Sequence, residues 1–210
     1  MTVEVPRGGR VLFIGDSITD AGRDRTDGGD LGVGWAMMAA AWFTARHPAH
    51  RATFRNRGIG GDRVRDLRAR WETDCLALDP QVVTVLIGIN DTWRRYDGDD
   101  PTTVEDFAAD YRQLLTATRT RLPDVRLVLM EPFLIPLDDR QRTWRADLDP
   151  KVEAVRTLAA EFDATLVAVD ALFQSADVDD RVWTTDGVHL TPYGHAVLAQ
   201  RWLAVVTPTA

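Results

Sequence analysis

Two short motifs near opposite ends of the chain contain the residue types of an acyl-transfer site. Gly15-Asp16-Ser17 follows an apolar run near the start, and Asp186-Gly187-Val188-His189 lies near the end. The three-residue spacing lets one turn direct the Asp186 carboxylate to Nδ1 of His189, which leaves Nε2 free to face a hydroxyl group. We therefore interpret Ser17 as a nucleophile, His189 as its general base and Asp186 as the carboxylate that orients the base. Taken alone, Asp16-Ser17 is equally well explained as a helix N-cap.

Two further segments can add hydrogen-bond donors to this site. In Asn56-Arg57-Gly58-Ile59-Gly60-Gly61-Asp62, which closes a predicted strand, Gly61 can offer an unobstructed backbone NH to a developing oxyanion. Gly88-Ile89-Asn90-Asp91 follows the most apolar predicted strand and supplies the neutral side-chain amide of Asn90. Each segment, taken alone, is better explained as an ordinary turn after a strand. No GxSxG pentapeptide occurs in the sequence, so the fold is expected to differ from that of an α/β-hydrolase.

Alternating strand and helix patterns must position these motifs. The predicted strands are Arg10–Ile14, Thr53–Asn56, Val82–Ile87, Arg126–Met130 and Thr165–Val169, and the predicted helices are Trp35–Arg46, Val64–Leu76, Thr103–Arg121, Pro150–Phe162 and Pro192–Val205. Asp149-Pro150 and Thr191-Pro192 are typical helix starts. The alternation indicates an α/β fold with a mostly parallel sheet and helices on both faces, in which ligands bind outside the carboxyl ends of the strands. Residues 20–34, 131–148 and 177–188 are predicted to be loops that frame one site.

The composition favours one globular domain over residues 1–210 that needs no cofactor. With 45% hydrophobic residues the chain can bury a full core. Its net charge is −7, and acidic and basic residues are mixed along the chain, which argues against a nucleic-acid or membrane surface. Residues 1–10 lack the apolar stretch of a signal peptide, and Cys75 is the single cysteine, so a cytoplasmic location is expected. Neither a metal-ligand motif nor a phosphate-binding loop occurs, and no metal is expected. The number of subunits is left open, and a homo-oligomer is compatible with the sequence.

With these four segments in order, the chain resembles the SGNH hydrolases, the GDSL esterase and lipase superfamily, over nearly its whole length. The matching residues are Ser17 in GDSI, Gly61 in NRGIGGD, Asn90 in GIND and His189 in DGVHL, with Ile18 in place of the family's leucine. The resemblance implies a flavodoxin-like three-layer α/β/α sandwich whose five parallel strands have the order 2-1-3-4-5. It also implies that the NH groups of Ser17 and Gly61 and the amide of Asn90 form the oxyanion hole. Asp16 is expected to brace the nucleophile turn, and Asp91 to cap the exit from its own strand.

Within that superfamily, the segments RARWE and GINDTWRRYD are similar to those of intracellular acetylxylan esterases. This resemblance implies an acetyl esterase that acts on acetylated xylo-oligosaccharides or related sugars. Trp93, Arg94 and Trp183 are candidate substrate contacts, because an indole can cover the CH-rich face of a sugar ring. The two tryptophans are equally well explained as packing residues under long loops. These esterases often carry an aromatic residue directly before the aspartate, whereas this chain has Thr185 at that position.

Two other functions use the same features differently. A lysophospholipase or thioesterase would use the same three residues on longer acyl chains, and it would need an extended apolar groove that the Asp- and Arg-rich loops do not suggest. A sugar- or nucleotide-binding module on the same kind of sheet would have no need for a serine, an aspartate, a histidine and two oxyanion donors in register.

Overall fold

The structure, a computed structural model, describes residues 2–175 and 177–209 and is organised around a parallel sheet. Its strands are β1 (Val3–Val5), β2 (Arg10–Gly15), β3 (Thr53–Gly58), β4 (Val82–Leu86), β5 (Arg126–Met130), β6 (Thr165–Val167) and β7 (Val206–Pro208). Strands β2 to β6 form the main sheet, and β1 pairs with β7 in a separate two-stranded sheet. Every neighbouring pair of strands in the two sheets is parallel.

The order of the main sheet is β3-β2-β4-β5-β6. Counted within this sheet alone, its strands have the expected order 2-1-3-4-5, and the labels differ because the unpredicted strand β1 precedes them. The register places Gly15 opposite both Gly58 and Leu86. The carboxyl ends of β2, β3 and β4 therefore meet at one edge of the sheet, where the segments with Ser17, Gly61 and Asn90 leave it.

Nine α-helices lie within the described residues. They are α1 (Ser17–Asp20), α2 (Trp35–Arg46), α3 (Val64–Asp74), α4 (Ile89–Asp97), α5 (Val104–Arg121), α6 (Asp139–Thr143), α7 (Arg145–Glu161), α8 (Val169–Gln174) and α9 (Pro192–Val205), with short 3-10 turns at Pro48–His50, Leu76–Leu78 and Asp180–Val182. None of the helices in the described part of the chain is both long and apolar enough to cross a membrane.

The sheet separates two hydrophobic clusters, because successive side chains of a strand point to opposite faces. Val11 and Phe13 of β2 pack with α2 and α9 on one face, whereas Leu12 and Ile14 pack with α3, α5 and α7 on the other. The Trp202 indole of α9 is fully buried and donates its NH to the Thr84 hydroxyl over 2.9 Å. The expected α/β fold, a parallel sheet with helices on both faces, is confirmed.

One difference from the sequence-based expectation is the start of α7. This helix begins at Arg145, five residues before the predicted start at Pro150, and contains that proline. A proline inside a helix removes one hydrogen bond, here to the carbonyl of Ala146, but Ala146 is exposed and water can satisfy its carbonyl. The first turn is supported by an ion pair of 2.5 Å between Arg145 and Asp149, one turn apart.

Candidate active site

The structure brings Ser17, His189 and Asp186 into one hydrogen-bonded chain. Ser17 Oγ lies 3.0 Å from His189 Nε2, and His189 Nδ1 lies 2.6 Å from Asp186 Oδ2. Ser17 starts α1 directly after β2, while the other two residues lie in the turn that precedes α9. This geometry lets an imidazole accept a proton from the serine hydroxyl while a carboxylate fixes its tautomer.

The turn that presents Ser17 is held by its buried neighbour Asp16. The side chain of Asp16 is the N-cap of α1 and accepts a hydrogen bond of 3.0 Å from the NH of Ile18. Helix α1 ends after four residues, where Ala21 adopts a left-handed conformation. Asp16 therefore fixes the exit from β2, as expected, and it accepts hydrogen bonds from the NH groups of the residues that follow Ser17 in the first helical turn.

Gly61 provides a backbone NH beside this space. Its φ is +88°, a conformation that side chains of L-residues rarely adopt, although an added Cβ would meet nothing within 4 Å. The glycine is therefore required by the backbone conformation and not by lack of room. The NH groups of Ser17 and Gly61 have no hydrogen-bond partner among the described residues, so both are available to an oxygen atom of a ligand.

Asn90 lies in the first turn of α4, at the end of β4, and is only 3% exposed. Its Nδ2 donates to the carbonyl oxygen of Asp62 over 3.1 Å. A side-chain amide has two hydrogens on this nitrogen, so the second can serve a ligand. The same contact ties α4 to the segment that contains Gly61.

The Asp186–His189 turn is built by the aspartate itself. Asp186 Oδ1 accepts hydrogen bonds from the NH groups of His189 (2.7 Å) and Val188 (3.0 Å), and Oδ2 faces the His189 ring. Burial raises the pKa of Asp186, but the bonds from the ring and from the two NH groups outweigh it and leave this pKa below its ordinary value. Asp186 is therefore ionised at neutral pH and suited to stabilise an imidazolium.

Two buried carboxyl groups behind Ser17 have the opposite shift. Burial is the main cause that raises the pKa of Asp16 to about 7, with a further contribution from the charge of Asp91. Burial likewise raises the pKa of Asp91 to about 7, although the NH of Val64 and the charge of Lys151 oppose it. The expectation that Asp91 caps its own strand is wrong. Its Oδ2 accepts from the NH of Val64 over 3.2 Å, at the start of α3, because α4 turns the side chain across to that helix.

Among the candidate substrate contacts, the structure places Trp93 beside the histidine. The centroids of the Trp93 and His189 rings are 5.8 Å apart. Arg94 forms an ion pair of 2.5 Å with Asp97, and its guanidinium lies 5.7 Å from the Trp93 ring centroid. Trp183 packs against Phe173 with ring centroids 6.3 Å apart. Both tryptophans pack against the core, and Trp93 in addition lies beside the His189 ring.

His195 has a packing position on α9. Its Nδ1 lies 3.2 Å from the NH of Trp35, the first residue of α2. Burial, together with the charge of His189, lowers the pKa of His195 to about 4. A neutral imidazole can accept that hydrogen bond, so His195 supports the start of α2.

Several residues near the site were missed by sequence reasoning. Lys151, the only lysine of the chain, is fully buried in α7, pairs with Asp147 and lies 3.4 Å from the Thr92 hydroxyl of α4. Gln141, in a segment predicted to be a loop, donates to the Asp186 carbonyl over 2.5 Å. The only sequence signal for Lys151 was a single lysine among apolar residues at helical spacing. No local sequence signal marked Gln141. Across the described residues, no group of three or more His, Cys, Asp and Glu side chains is arranged to hold a metal ion.

Comparison with known proteins relates this geometry to ester hydrolases. The model of the GDSL-like lipase/acylhydrolase family matches residues 13–197. The acetylxylan esterase of Geobacillus stearothermophilus is 34% identical over 211 residues, which cover 96% of this chain and 95% of that protein. A catalytic mutant of that enzyme has a solved structure that superposes with a TM-score of 0.88 at 33% identity, covering 98% and 96% of the two chains. A protein from Parabacteroides merdae described as a GDSL-like lipase superposes with a TM-score of 0.92 at 34% identity, covering 98% of each chain.

Proposed function

Because the chain belongs to the GDSL-like lipase/acylhydrolase family and is a carboxylic ester hydrolase, we propose that it removes acetyl groups from sugars through an acyl-enzyme on Ser17. The observation that carries this proposal is the hydrogen-bonded chain from Ser17 Oγ through the His189 ring to Asp186 Oδ2, with steps of 3.0 and 2.6 Å. A cytoplasmic location, a single domain over residues 1–210 and a homo-oligomer stay predictions.

In the proposed first step, Ser17 Oγ attacks the ester carbonyl carbon and its proton passes to His189 Nε2. Asp186 stabilises the resulting imidazolium through Nδ1. His189 then gives the same proton to the oxygen of the leaving alcohol, the C–O bond of the ester breaks, and Ser17 remains acetylated. In the second half, water attacks the acetyl carbon and gives one proton to His189. The bond between that carbon and Ser17 Oγ then breaks, Ser17 Oγ takes the proton back from His189, and acetic acid leaves and ionises to acetate in water.

The oxyanion that forms in both halves is assigned to three donors. They are the free NH groups of Ser17 and Gly61 and the second hydrogen of the Asn90 amide, whose first hydrogen is used by the Asp62 carbonyl. Loss of one such donor costs about 10²–10³ in kcat in comparable enzymes. The three donors follow the ends of the neighbouring strands β2, β3 and β4.

An acetylated sugar is supported by the relative and by the aromatic wall beside His189. The 34% identical enzyme is an acetylxylan esterase. Trp93 lies beside the His189 ring and packs against Trp144. The Trp144 ring stacks on Tyr96 with centroids 5.1 Å apart. An indole beside the general base suits the CH-rich face of a pyranose. A lysophospholipase or thioesterase activity is the alternative, and acyl-chain length separates the two.

The experiment compares wild type with Ser17→Ala on acetyl, butyryl and octanoyl p-nitrophenyl esters, acetylated xylo-oligosaccharides, lysophospholipids and acyl-CoA esters. Acetyl esters should react fastest, octanoyl esters should react poorly, and a serine-directed sulfonyl fluoride should inactivate the enzyme, while EDTA should not. A folded Ser17→Ala variant that kept most of the activity would refute the nucleophile. A rate that rises with chain length would move the substrate to the lipid side.

A further inference from the structure

The side chain of Gln141 contacts the Asp186–His189 turn from a different part of the chain. Gln141 lies on the short helix α6, and its Nε2 donates to the main-chain carbonyl of Asp186 over 2.5 Å. Its Oε1 accepts from the NH of Leu137 over 2.8 Å. Because both ends of the amide are bound, its orientation is fixed and the donor must face Asp186.

Gly187 makes this contact sterically feasible. A Cβ at Gly187 would lie 2.6 Å from both Nε2 and Oε1 of Gln141, so the amide lies directly against the glycine backbone. The φ of Gly187 is +96°, which also disfavours any other residue. A second bond joins the same two segments, since the NH of Ile135 donates to the Gly187 carbonyl over 2.9 Å. The segment after β5 therefore binds two successive carbonyls of the turn.

Val188 and Leu190 fix the turn to the core, but its other hydrogen bonds are local. Both carboxylate oxygens of Asp186 accept hydrogen bonds from Val188 and His189 within the turn itself. The His189 carbonyl is bound by Thr184 and Thr185, only a few residues upstream. These bonds define the shape of the turn, but they do not define its distance from Ser17. The side chains of Asp186 and His189 are also 42% and 43% exposed, so packing restrains them weakly.

We propose that Gln141 is a positioning residue of this ester hydrolase, whose amide holds the Asp186–His189 turn at the distance from Ser17 that proton transfer requires. The inference rests on the proposed roles of Ser17, His189 and Asp186. Gln141 does not touch the reacting atoms, and it acts only through the Asp186 main chain. A displacement of the base by about 1 Å can cost about 10²-fold in rate.

The test replaces Gln141 with Met, which keeps its length without hydrogen bonds, and with Glu, which keeps its shape and the acceptor for Leu137 but has no donor when ionised. Both variants, assayed with p-nitrophenyl acetate at pH 8, should lose about tenfold to a hundredfold in kcat with little change in KM. Arg142→Met is the matched control, because Arg142 is the exposed neighbour on α6 and pairs only with Asp139. It should keep wild-type kinetics.

A double-mutant cycle decides whether Gln141 acts through the turn. In an Asp186→Asn background the base is already poorly oriented, so Gln141→Met should cost about twofold or less there. Equal fractional losses in the two backgrounds, or wild-type kcat in Gln141→Glu, would overturn the inference. Ser17→Ala, measured alongside, separates this outcome from a failure of the proposed function, since an active Ser17→Ala variant would refute the nucleophile whatever Gln141 does.

Discussion

The serine half of the candidate site (Ser17, Gly61 and Asn90) is anchored by buried residues, whereas the histidine half (Asp186 and His189) is carried by an exposed turn. In the serine half, Asp16, Asn90 and Asp91 are at most 3% exposed. Asp16 binds the NH of Ile18 in its own turn, and Asn90 and Asp91 both bind the segment 62–64 that follows β3. In the histidine half the two side chains are more than 40% exposed and are bound mainly within their own turn.

The serine half and the histidine half are therefore positioned by different interactions. The parallel register sets the serine half, because the ends of β2, β3 and β4 must meet wherever these strands pair. The histidine half depends on local hydrogen bonds and on the contacts from Gln141 and Ile135. Loss of a hydrogen bond in the serine half should therefore lower both activity and stability, while substitutions in the histidine half should lower activity far more than stability.

The largest expected effect is within the histidine half. His189→Ala removes the general base and should cost about 10⁶-fold in kcat, whereas Asp186→Asn keeps the base and should cost about 10⁴-fold. Because both side chains are more than 40% exposed, the melting temperature should fall only slightly in either variant. Single-turnover kinetics and thermal unfolding measure the two quantities. A large loss of stability in His189→Ala would contradict the comparison.

The next effect concerns the serine half. Asn90→Ala should reduce kcat by about 10²–10³-fold, because it removes an oxyanion donor. It should also lower the melting temperature, since it leaves the partly buried Asp62 carbonyl without the amide that ties α4 to the Gly61 segment. Comparing kcat and the melting temperature of this variant with those of Asp186→Asn would test directly whether the two halves differ in their contribution to stability. An Asn90→Ala protein as stable as wild type would mean that the sheet edge does not depend on this bond.

A smaller effect is expected where substrate meets the histidine half. Trp93→Ala should lower kcat/KM on acetylated xylobiose by about 5–50-fold, the range for loss of a stacked aromatic, and have much less effect on p-nitrophenyl acetate, which offers no sugar face. Trp42→Ala is the control, since Trp42 is an exposed tryptophan on α2. Parallel losses on both substrates would make Trp93 a structural residue, because Trp93 also packs on Trp144.

Elements with complete local signals could be predicted from the sequence. The bounds of Trp35–Arg46, Arg126–Met130 and Pro192–Val205 agree with the structure, because each has a continuous apolar pattern or a cap followed by proline. Helix α4 was not predicted, since its first turn contains the buried polar residues Asn90 and Asp91. That helix is stabilised by partners distant in sequence, among them the NH of Val64 and the carbonyl of Asp62.

The candidate site divides in the same way. The sequence predicts that Ser17, Gly61 and Asn90 follow neighbouring strands, and the structure has them at those strand ends, although their catalytic roles stay predictions. Gln141 could not be found from the sequence, because its contact depends on how residues 131–148 fold and on the backbone of Gly187. No short-range pattern encodes a contact across 45 residues.

The smallest expected effect is on stability, and its sign should differ between the two halves. Asp91 has a pKa raised to about 7, so the folded state holds its proton more tightly than the unfolded state, and stability is lost as the pH rises from about 4 to 7. Asp186 has a lowered pKa, so its contribution is present above the ordinary value near 4 and is lost as the pH falls through the folded pKa.

Asp91→Asn should therefore gain stability relative to wild type as the pH rises from 5 to 8, by about 1–3 kcal/mol. An asparagine oxygen can still accept from the NH of Val64, and Lys151 keeps its partner Asp147, so the substitution removes chiefly the cost of a buried charge. Asp186→Asn should instead be less stable than wild type at pH 8, and the deficit should shrink toward pH 3. Urea unfolding at pH 3, 5, 7 and 8 measures both differences. If the Asp91→Asn difference did not change with pH, the buried carboxyl would not be neutral in the folded protein, and the two halves would not differ in their charge.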